Sequence, residues 1–197
     1  MSVVRDTTRA IRMTLVLWVL TAIIYPALIL LVGQVFFPYQ ANGSIVENLQ
    51  GQQVGSALIG QPFSSDRYFI SRPSTVDYSV GQDAAPTGVS GASNLAPSNP
   101  ELLKRIQSQV EQLEQVGIRP TADLVYTSGS GLDPHITLEA VLEQRERVAL
   151  ARDLSTDQID TLIAEHTHGR FLGIFGEPGV NVLNLNRDLD VFQAARQ

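Results

Sequence analysis

Residues 13–37 read MTLVLWVLTAIIYPALILLVGQVFF, a run of 25 residues without a charged side chain. As an α-helix, this run would be about 37 Å long at about 1.5 Å per residue, which exceeds the roughly 30 Å of hydrocarbon in a bilayer. A buried helix of a soluble protein would show a polar face, whereas the polar side chains here are few and scattered: Thr14, Thr21, Tyr25 and Gln34. The run therefore predicts a single transmembrane helix.

The charges that flank this run predict its orientation. Arg5, Arg9 and Arg12 precede it, and the next Lys or Arg after it is Arg67. Under the positive-inside rule, residues 1–12 form a cytoplasmic tail and residues 38–197 lie outside the cytoplasm. A cleaved signal peptide would have an apolar core of only about 7 to 15 residues before a small-residue cleavage site. We therefore interpret residues 13–37 as a signal anchor in the cell (inner) membrane.

A lone transmembrane helix limits what the chain can do. It closes its own backbone hydrogen bonds in lipid, but it cannot enclose a water-filled path or an ion filter. Pro26 and Gly33 predict a kink or a close helix contact, because either residue weakens the ladder of hydrogen bonds. If the protein takes part in transport, we expect it to act as a subunit of a larger assembly.

Composition excludes several classes of function. The chain has 14 basic and 20 acidic residues, a net charge of −6, and no cysteine. An acidic chain is poorly suited to neutralising phosphates, which argues against a nucleic-acid partner. Without cysteine there is no disulfide, thiolate catalysis or Cys-ligated metal. The first 37 residues carry three arginines and one aspartate, so the remainder has a net charge of −8.

Beyond the transmembrane run, three stretches show the periodicity and capping signals of amphipathic helices. The N-terminal signals are Asn99 with Pro100, Thr137, and the capping box of Ser155 and Gln158. The predicted helices occupy residues 99–117, 137–149 and 155–169.

Strands are predicted at short apolar runs bounded by Gly, Ser or Pro. These runs are residues 56–59, 68–70, 171–175 and 180–185, and a Gly-Glu-Pro-Gly turn joins the last two. Residues 74–97 are rich in Gly, Ser and Pro and predict a long irregular loop. The mixed order of elements is typical of an α/β or α+β domain. We take the α+β class, with a small sheet and about three helices behind a single N-terminal transmembrane helix.

The motifs for nucleotide and serine chemistry are incomplete. The pattern Gly-x-Ser-x-Gly lacks one glycine both at residues 88–92 and at residues 128–131. Lys104, the only lysine, lies inside a predicted helix, which excludes a phosphate-binding P-loop. The sequence therefore offers no complete catalytic motif of these kinds.

The acidic and histidine residues point to structural roles. His166 and His168 project in diverging directions from a helix end, and His135 is distant in sequence, so no metal site is predicted. The three acidic residues of the second helix form a mostly solvated face: Glu139, Glu143 and Glu146.

Four segments behind the transmembrane run resemble a known family. They are GSALIGQ at 55–61 with YF at 68–69 and RPS at 72–74, GASNL at 91–95 with SNPE at 98–101, SGSGLDPHI at 128–136, and GEP at 176–178 with VNV at 180–182. Together with FPYQANGS at 37–44, they closely resemble the KdpC family, the C subunit of the bacterial high-affinity potassium-transporting P-type ATPase. The resemblance covers essentially the whole chain.

The resemblance implies a role in a complex that couples ATP hydrolysis to potassium uptake. In that family, a channel-like subunit holds the ion filter, a P-type ATPase subunit holds the nucleotide site, and a small single-span subunit is also present. The resemblance implies that this chain has no catalytic centre or intrinsic cofactor of its own. It would stabilise the assembly and act as a catalytic chaperone that raises the ATP affinity of the ATPase subunit, with Gln144 as a nucleotide contact.

The predicted orientation conflicts with a nucleotide contact. It places Gln144 outside the cytoplasm, where ATP is scarce, so the sequence favours the docking role and leaves Gln144 as an exposed helix residue. The acidic domain could instead concentrate cations near a channel mouth, because net negative charge attracts them.

Two other classes of function stay open from the sequence. The first is a free-standing, membrane-anchored binding or sensor domain that captures a small ligand with the loop at residues 74–97. The second is an anchored hydrolase that uses Ser130, Asp133 and His135. Residues so close in a turn more often hydrogen-bond the backbone than form a catalytic triad.

Overall fold

All of the apolar run except its last residue, Phe37, is helical in the computed structural model, which describes residues 2–80 and 88–196. Residues Val3–Phe36 form 34 helical residues that are long and apolar enough to cross a membrane. The chain divides into two units, Met1–Ser44 and Ile45–Gln197. The predicted N-terminal apolar helix is confirmed, while its direction across a membrane stays a prediction.

The described part of the first unit is mainly helical. It contains α1 (Ser2–Val19), a π-helical segment (Leu20–Ile24), α2 (Tyr25–Phe36) and α3 (Pro38–Ala41). At the end of the π-helical segment, the backbone N–H of Tyr25 donates to the carbonyl of Leu20, five residues earlier. Pro26 follows at once and has no N–H to donate, so the regular ladder changes its spacing at this point.

The second unit begins with an antiparallel hairpin of β1 (Ile45–Glu47) and β2 (Gln53–Ser56). The side chain of Asn48 closes its turn, because Oδ1 accepts from the backbone N–H groups of Gln50 at 3.0 Å and Gln52 at 2.9 Å. The strand predicted at residues 56–59 was wrong in position, since β2 ends where that prediction began.

A three-stranded antiparallel sheet forms the second β-structure. It contains β3 (His135–Ile136), β4 (Thr167–His168) and β5 (Gly179–Asn181), in the order β3-β5-β4. Of the two strands predicted near the C-terminus, the first was wrong and the second was wrong in extent, since only Val180 and Asn181 lie in β5. Residues 171–175 form a loop closed by a single bridge between Phe171 and Phe175, and most of residues 180–185 begin a helix.

That helix is α9 (Val182–Ala194). Asn181 caps it, since Oδ1 accepts from the backbone N–H of Asn184 at 3.0 Å. Val182, Leu185 and Leu189 then recur at spacings of three and four residues, and all three are fully buried. The helical period governs this segment, although its first residues also fit a strand.

The other helices are α4 (Pro100–Gln115), α5 (Ala122–Val125), α6 (Leu138–Leu142), α7 (Arg145–Arg152) and α8 (Thr156–Glu165), with a 3-10 turn at Asp77–Ser79. The first and third predicted helices are confirmed by α4, capped by Asn99, and by α8 with its capping box. The second was wrong in extent, because residues 137–149 hold two helices that break around Glu143 and Gln144. The predicted α+β class is confirmed.

The hydrophobic core lies where the three-stranded sheet meets α7, α8 and α9. The sheet and the three helices each place a fully buried side chain in this core, and Phe69 from the preceding loop joins them. These side chains are Phe69, Val148, Ile159, Val180 and Leu185. Phe69 belongs to no helix or strand, yet it is as buried as any side chain of the core. The segment around Phe69 is therefore held in place by something other than a strand partner.

Candidate functional site

The strand predicted at residues 68–70 was wrong, since these residues form no strand. Polar side chains of α7, of α9 and of the break before α7 instead bind the segment 67–70. Gln144, 0% exposed, accepts from the backbone N–H of Ile70 at 2.7 Å and donates to the Ile70 carbonyl at 3.3 Å. Its amide also donates to the Ala140 carbonyl at 3.1 Å. The expectation of an exposed Gln144 was wrong: this residue lies three positions after the buried Val141 and four before the buried Val148, on the apolar face of the helical period.

Asn186 on α9 binds the neighbouring residue in the same way. Its side chain donates to the Phe69 carbonyl and accepts from the Phe69 N–H, both at 2.9 Å. The amides of Gln144 and Asn186 thus imitate the paired hydrogen bonds of a neighbouring strand. They satisfy buried backbone groups that would otherwise carry a large desolvation cost.

Arg152 supplies a buried positive charge to the same segment. Its side chain is 0% exposed, pairs with Asp190 at 2.9 Å and donates from Nε to the Arg67 carbonyl at 2.5 Å. The guanidinium also lies 4.7 Å from the ring centroid of Tyr68. Asp190 accepts a hydrogen bond from the Tyr68 hydroxyl at 2.9 Å. The pKa of Tyr68 is raised, mainly by burial and secondly by the Asp190 carboxylate. The buried positive charge of Arg152 is therefore paired with the negative charge of Asp190 inside the protein.

Arg147 completes this set, which we call the polar clamp: Gln144, Arg147, Arg152, Asn186 and Asp190. Arg147 donates to the Tyr68 carbonyl at 2.8 Å and pairs with Asp66 at 3.4 Å. Burial lowers its pKa, an effect that the charge of Asp66 opposes. Because each clamp residue bonds the 66–70 segment or a neighbouring clamp residue, the arrangement is suited to holding the fold. The nucleotide contact of Gln144 stays a prediction.

Sequence reasoning missed Arg152 and Asn186, although a pattern marked them. Arg152 lies four residues after the buried Val148, and Asn186 lies four residues after the buried Val182. Each is therefore a polar residue on the apolar face of its helix. Such residues are expected to find a buried partner.

The three residues of the hydrolase alternative lie in one turn but do not form a triad. Ser130 Oγ accepts from the backbone N–H of Leu132 at 3.1 Å. Asp133 accepts from the backbone N–H of His135 at 3.0 Å, and its Oδ1 lies 3.7 Å from His135 Nδ1. Within residues 2–80 and 88–196, no hydrogen bond joins Ser130 to His135. These side chains order the turn through its backbone.

Beside this turn lies an open cleft of about 340 Å³, which includes His168 and Glu177. Arg72 pairs there with Asp123, and its Nε lies 3.7 Å from an Asp133 oxygen. Burial acts to raise the pKa of Asp133, but hydrogen bonds from His135 and the charge of Arg72 outweigh it and lower that pKa. In the described parts of the chain, no three His, Asp or Glu side chains are placed to hold a metal ion.

Comparison with known proteins identifies the family. The KdpC model, described as the c chain of the K+-transporting ATPase, matches residues 7–191. The KdpC subunit of a potassium-transporting ATPase from Synechocystis sp. is 59% identical over 187 residues, which cover 95% of this chain and 98% of that protein. The KdpC subunit from Anabaena sp. is 60% identical over 191 residues, with 97% and 96% covered. The corresponding subunit from Geobacter sulfurreducens is 46% identical over 184 residues, with 92% and 95% covered. The chain therefore belongs to the KdpC family, the c chain of the K+-transporting ATPase.

Proposed function

We propose that this chain is the membrane-anchored accessory subunit of an ATP-driven potassium uptake complex, without a catalytic centre of its own. It stabilises the assembly of a channel-like subunit with a P-type ATPase subunit, next to a small single-span subunit and membrane lipid. The observation that carries this proposal is the family match over residues 7–191, which covers most of the candidate membrane helix and most of the folded unit.

The proposed topology is a single pass through the cell (inner) membrane with the N-terminus in the cytoplasm. Arg5, Arg9 and Arg12 before the apolar run support this orientation, because cytoplasmic flanks are rich in Lys and Arg. The folded unit then lies on the extracytoplasmic side, away from the cytoplasmic pool of ATP. Its contribution to ATP affinity is therefore indirect in this proposal.

We propose that Gln144 contributes to this indirect effect on the ATP affinity of the ATPase subunit. Its amide hydrogens and its oxygen are engaged with Ile70, Ala140 and Arg147. A direct nucleotide contact would require these buried hydrogen bonds to open. We infer that Gln144 positions the 67–70 segment, and that the ATPase subunit responds to the docked shape of this chain.

Co-purification tests the proposal. An affinity tag on this chain should isolate a stoichiometric complex with two larger membrane proteins after solubilisation in mild detergent. Purification of the chain alone, with its partners expressed in the same cells, would contradict a subunit role. That result would favour the free-standing binding or sensor domain.

Cysteine labelling tests the orientation, because the natural chain has no cysteine. Gln144 is buried and unsuitable, whereas Leu150 is 87% exposed. A membrane-impermeant maleimide should label Leu150→Cys in intact spheroplasts and should label Thr7→Cys only after permeabilisation. The opposite pattern would place the folded unit in the cytoplasm and would remove the topological argument against direct ATP binding.

A further inference from the structure

The loop between β4 and β5 exposes four large apolar side chains in a row of five residues. Phe171 is 71% exposed, Leu172 73%, Ile174 72% and Phe175 62%. We call residues 171–175 the apolar loop. Single exposed hydrophobic residues are ordinary on a protein surface, but a contiguous group usually marks an interaction site.

The apolar loop is ordered by its own backbone. Phe171 donates to the Phe175 carbonyl at 2.8 Å, and Phe175 donates back at 3.0 Å. Leu172 and Gly173 both have positive φ angles, 54° and 74°, which turn the chain within the loop. A side chain added at Gly173 would meet no atom within 4 Å, so the loop stands clear of its domain. Its shape is set before any partner binds, which lowers the entropy cost of binding.

Charge distinguishes between the surfaces that could cover this loop. The chain after the transmembrane run has a net charge of −8, which disfavours approach to an anionic bilayer or to a second copy of the chain. Interfacial segments that bind anionic lipid are usually rich in Lys and Arg, whereas this loop lies between one basic residue, Arg170, and one acidic residue, Glu177. A protein surface of neutral or basic character is the complementary partner.

The area of the exposed apolar surface also favours a protein partner. Four side chains of this kind present roughly 500 Å² of apolar surface, below the roughly 800 Å² per partner of a stable interface between free proteins. A contact this small is sufficient when another interaction already holds the two proteins together, because the second contact then forms at high effective concentration. Membership of a multisubunit ATPase family supplies such a setting.

We propose that the apolar loop inserts into an apolar cleft on the extracytoplasmic surface of another protein subunit of the complex. This inference rests on the proposed function and adds the structural element that docks. The loop is an anchor that is separate from the membrane helix and from the polar clamp.

The first test compares the accessibility of two introduced cysteines. Ile174→Cys reports on the apolar loop, and Leu150→Cys is the matched control at an exposed apolar position on α7. We expect maleimide to modify Ile174→Cys at least about tenfold more slowly in the purified complex than in the full chain alone in detergent, as for a side chain excluded from water. Leu150→Cys should react at the same rate in both. Equal rates for Ile174→Cys would overturn the inference.

The second test weakens the contact. Phe171→Ser with Phe175→Ser should raise the dissociation constant of the full chain from the complex about 100-fold, since each buried Phe contributes about tenfold or more. The far-UV circular dichroism spectrum should not change, because both side chains are exposed. Leu150→Ser, the matched control, should leave the dissociation constant unchanged. A double variant that binds as tightly as the natural chain would refute the docking role.

A third test separates the other possible occupants of the loop. A fluorophore on Ile174→Cys should show no blue shift when the chain alone is reconstituted in vesicles of phosphatidylcholine and phosphatidylglycerol, and the chain alone should form no disulfide-linked dimer through this cysteine. A blue shift would replace the protein partner with lipid, and a dimer would replace it with a second copy. If no partner subunit co-purifies, the proposed function fails. If partners co-purify but Ile174→Cys reacts freely, only this inference fails.

Discussion

At the scale of single residues, the polar clamp shows how side chains can replace a strand. Residues 68–70 have strand-like composition, yet the backbone groups of Phe69 and Ile70 pair with the side chains of Asn186 and Gln144 rather than with another backbone. The partners are 74 and 117 residues away in sequence. A side-chain partner fixes only one residue of the segment, so each amide has an individual effect on stability.

Replacing Gln144 tests this role. Gln144→Ala leaves both backbone groups of Ile70 without their partner, and we expect the free energy of unfolding to fall by about 2 to 4 kcal/mol. Gln107→Ala, at an exposed position on α4, should change it by less than about 0.5 kcal/mol. Urea unfolding of the full chain in detergent measures both. Amide hydrogen exchange should show loss of protection at Ile70 in the Gln144 variant, and retained protection there would contradict the clamp.

Two glycines allow backbone strain to be separated from crowding. Gly131 and Gly117 have nearly the same positive φ, 73° and 74°. A Cβ at Gly131 would lie 2.4 Å from Val76 Cγ2 and 2.7 Å from the Gly91 carbonyl oxygen, whereas a Cβ at Gly117 would meet nothing within 4 Å.

Gly117→Ala should therefore lower the free energy of unfolding by about 1 kcal/mol, the usual cost of a positive φ. Gly131→Ala should lower it by about 3 kcal/mol or more, because crowding against a backbone oxygen adds to that cost. The comparison is made by urea unfolding of the two full-length variants. Equal losses would mean that the 128–132 turn is free to move away from Val76 and Gly91.

At the scale of elements, the sequence predicted what depends on local interactions. The helices α4 and α8 were found because Asn99 and the pair Ser155–Gln158 bond to backbone groups within three residues. Residues 171–175 were mistaken for a strand because an apolar run has the same composition whether or not a partner strand exists. Gln144 was expected to be exposed because its side chain is polar, although its spacing of three residues from Val141 and four from Val148 places it on the buried face.

The end of α7 offers a test of helix termination. Asp153 follows this helix in the left-handed conformation, with φ 54° and ψ 45°. Glycine adopts this conformation at lower cost, so Asp153→Gly should raise the free energy of unfolding by about 0.5 to 1 kcal/mol. Asp157→Gly, in the first turn of α8, should lower it by about 1 kcal/mol, because glycine and the loss of a negative charge both weaken a helix start. Thermal unfolding should show opposite shifts, and shifts of the same sign would contradict this assignment.

At the scale of the whole molecule, the net negative charge of the chain can raise the local concentration of cations. Glu139, Glu143 and Glu146 were expected to form a solvated face. The structure modifies that expectation, since Arg119 lies 3.3 Å from Glu139 and 2.7 Å from Glu143. These ion pairs are largely exposed and therefore weak, and one arginine offsets only part of the charge of the three carboxylates. This face still has a net negative charge.

If this face lies near the potassium entry of the complex, its charge raises the local concentration of cations. Replacing the three glutamates by glutamine should then lower the apparent potassium affinity of the complex about twofold at low ionic strength, and the difference should vanish at high salt because ions screen the field within about 10 Å at 0.1 M. Arg119→Gln should have the opposite sign, because it frees two carboxylates. Potassium-stimulated ATP hydrolysis, with ionic strength set by choline chloride, measures the affinity. The matched control changes three exposed glutamates of α4, Glu101, Glu111 and Glu114, and an equal effect there would attribute the change to total charge rather than to this face.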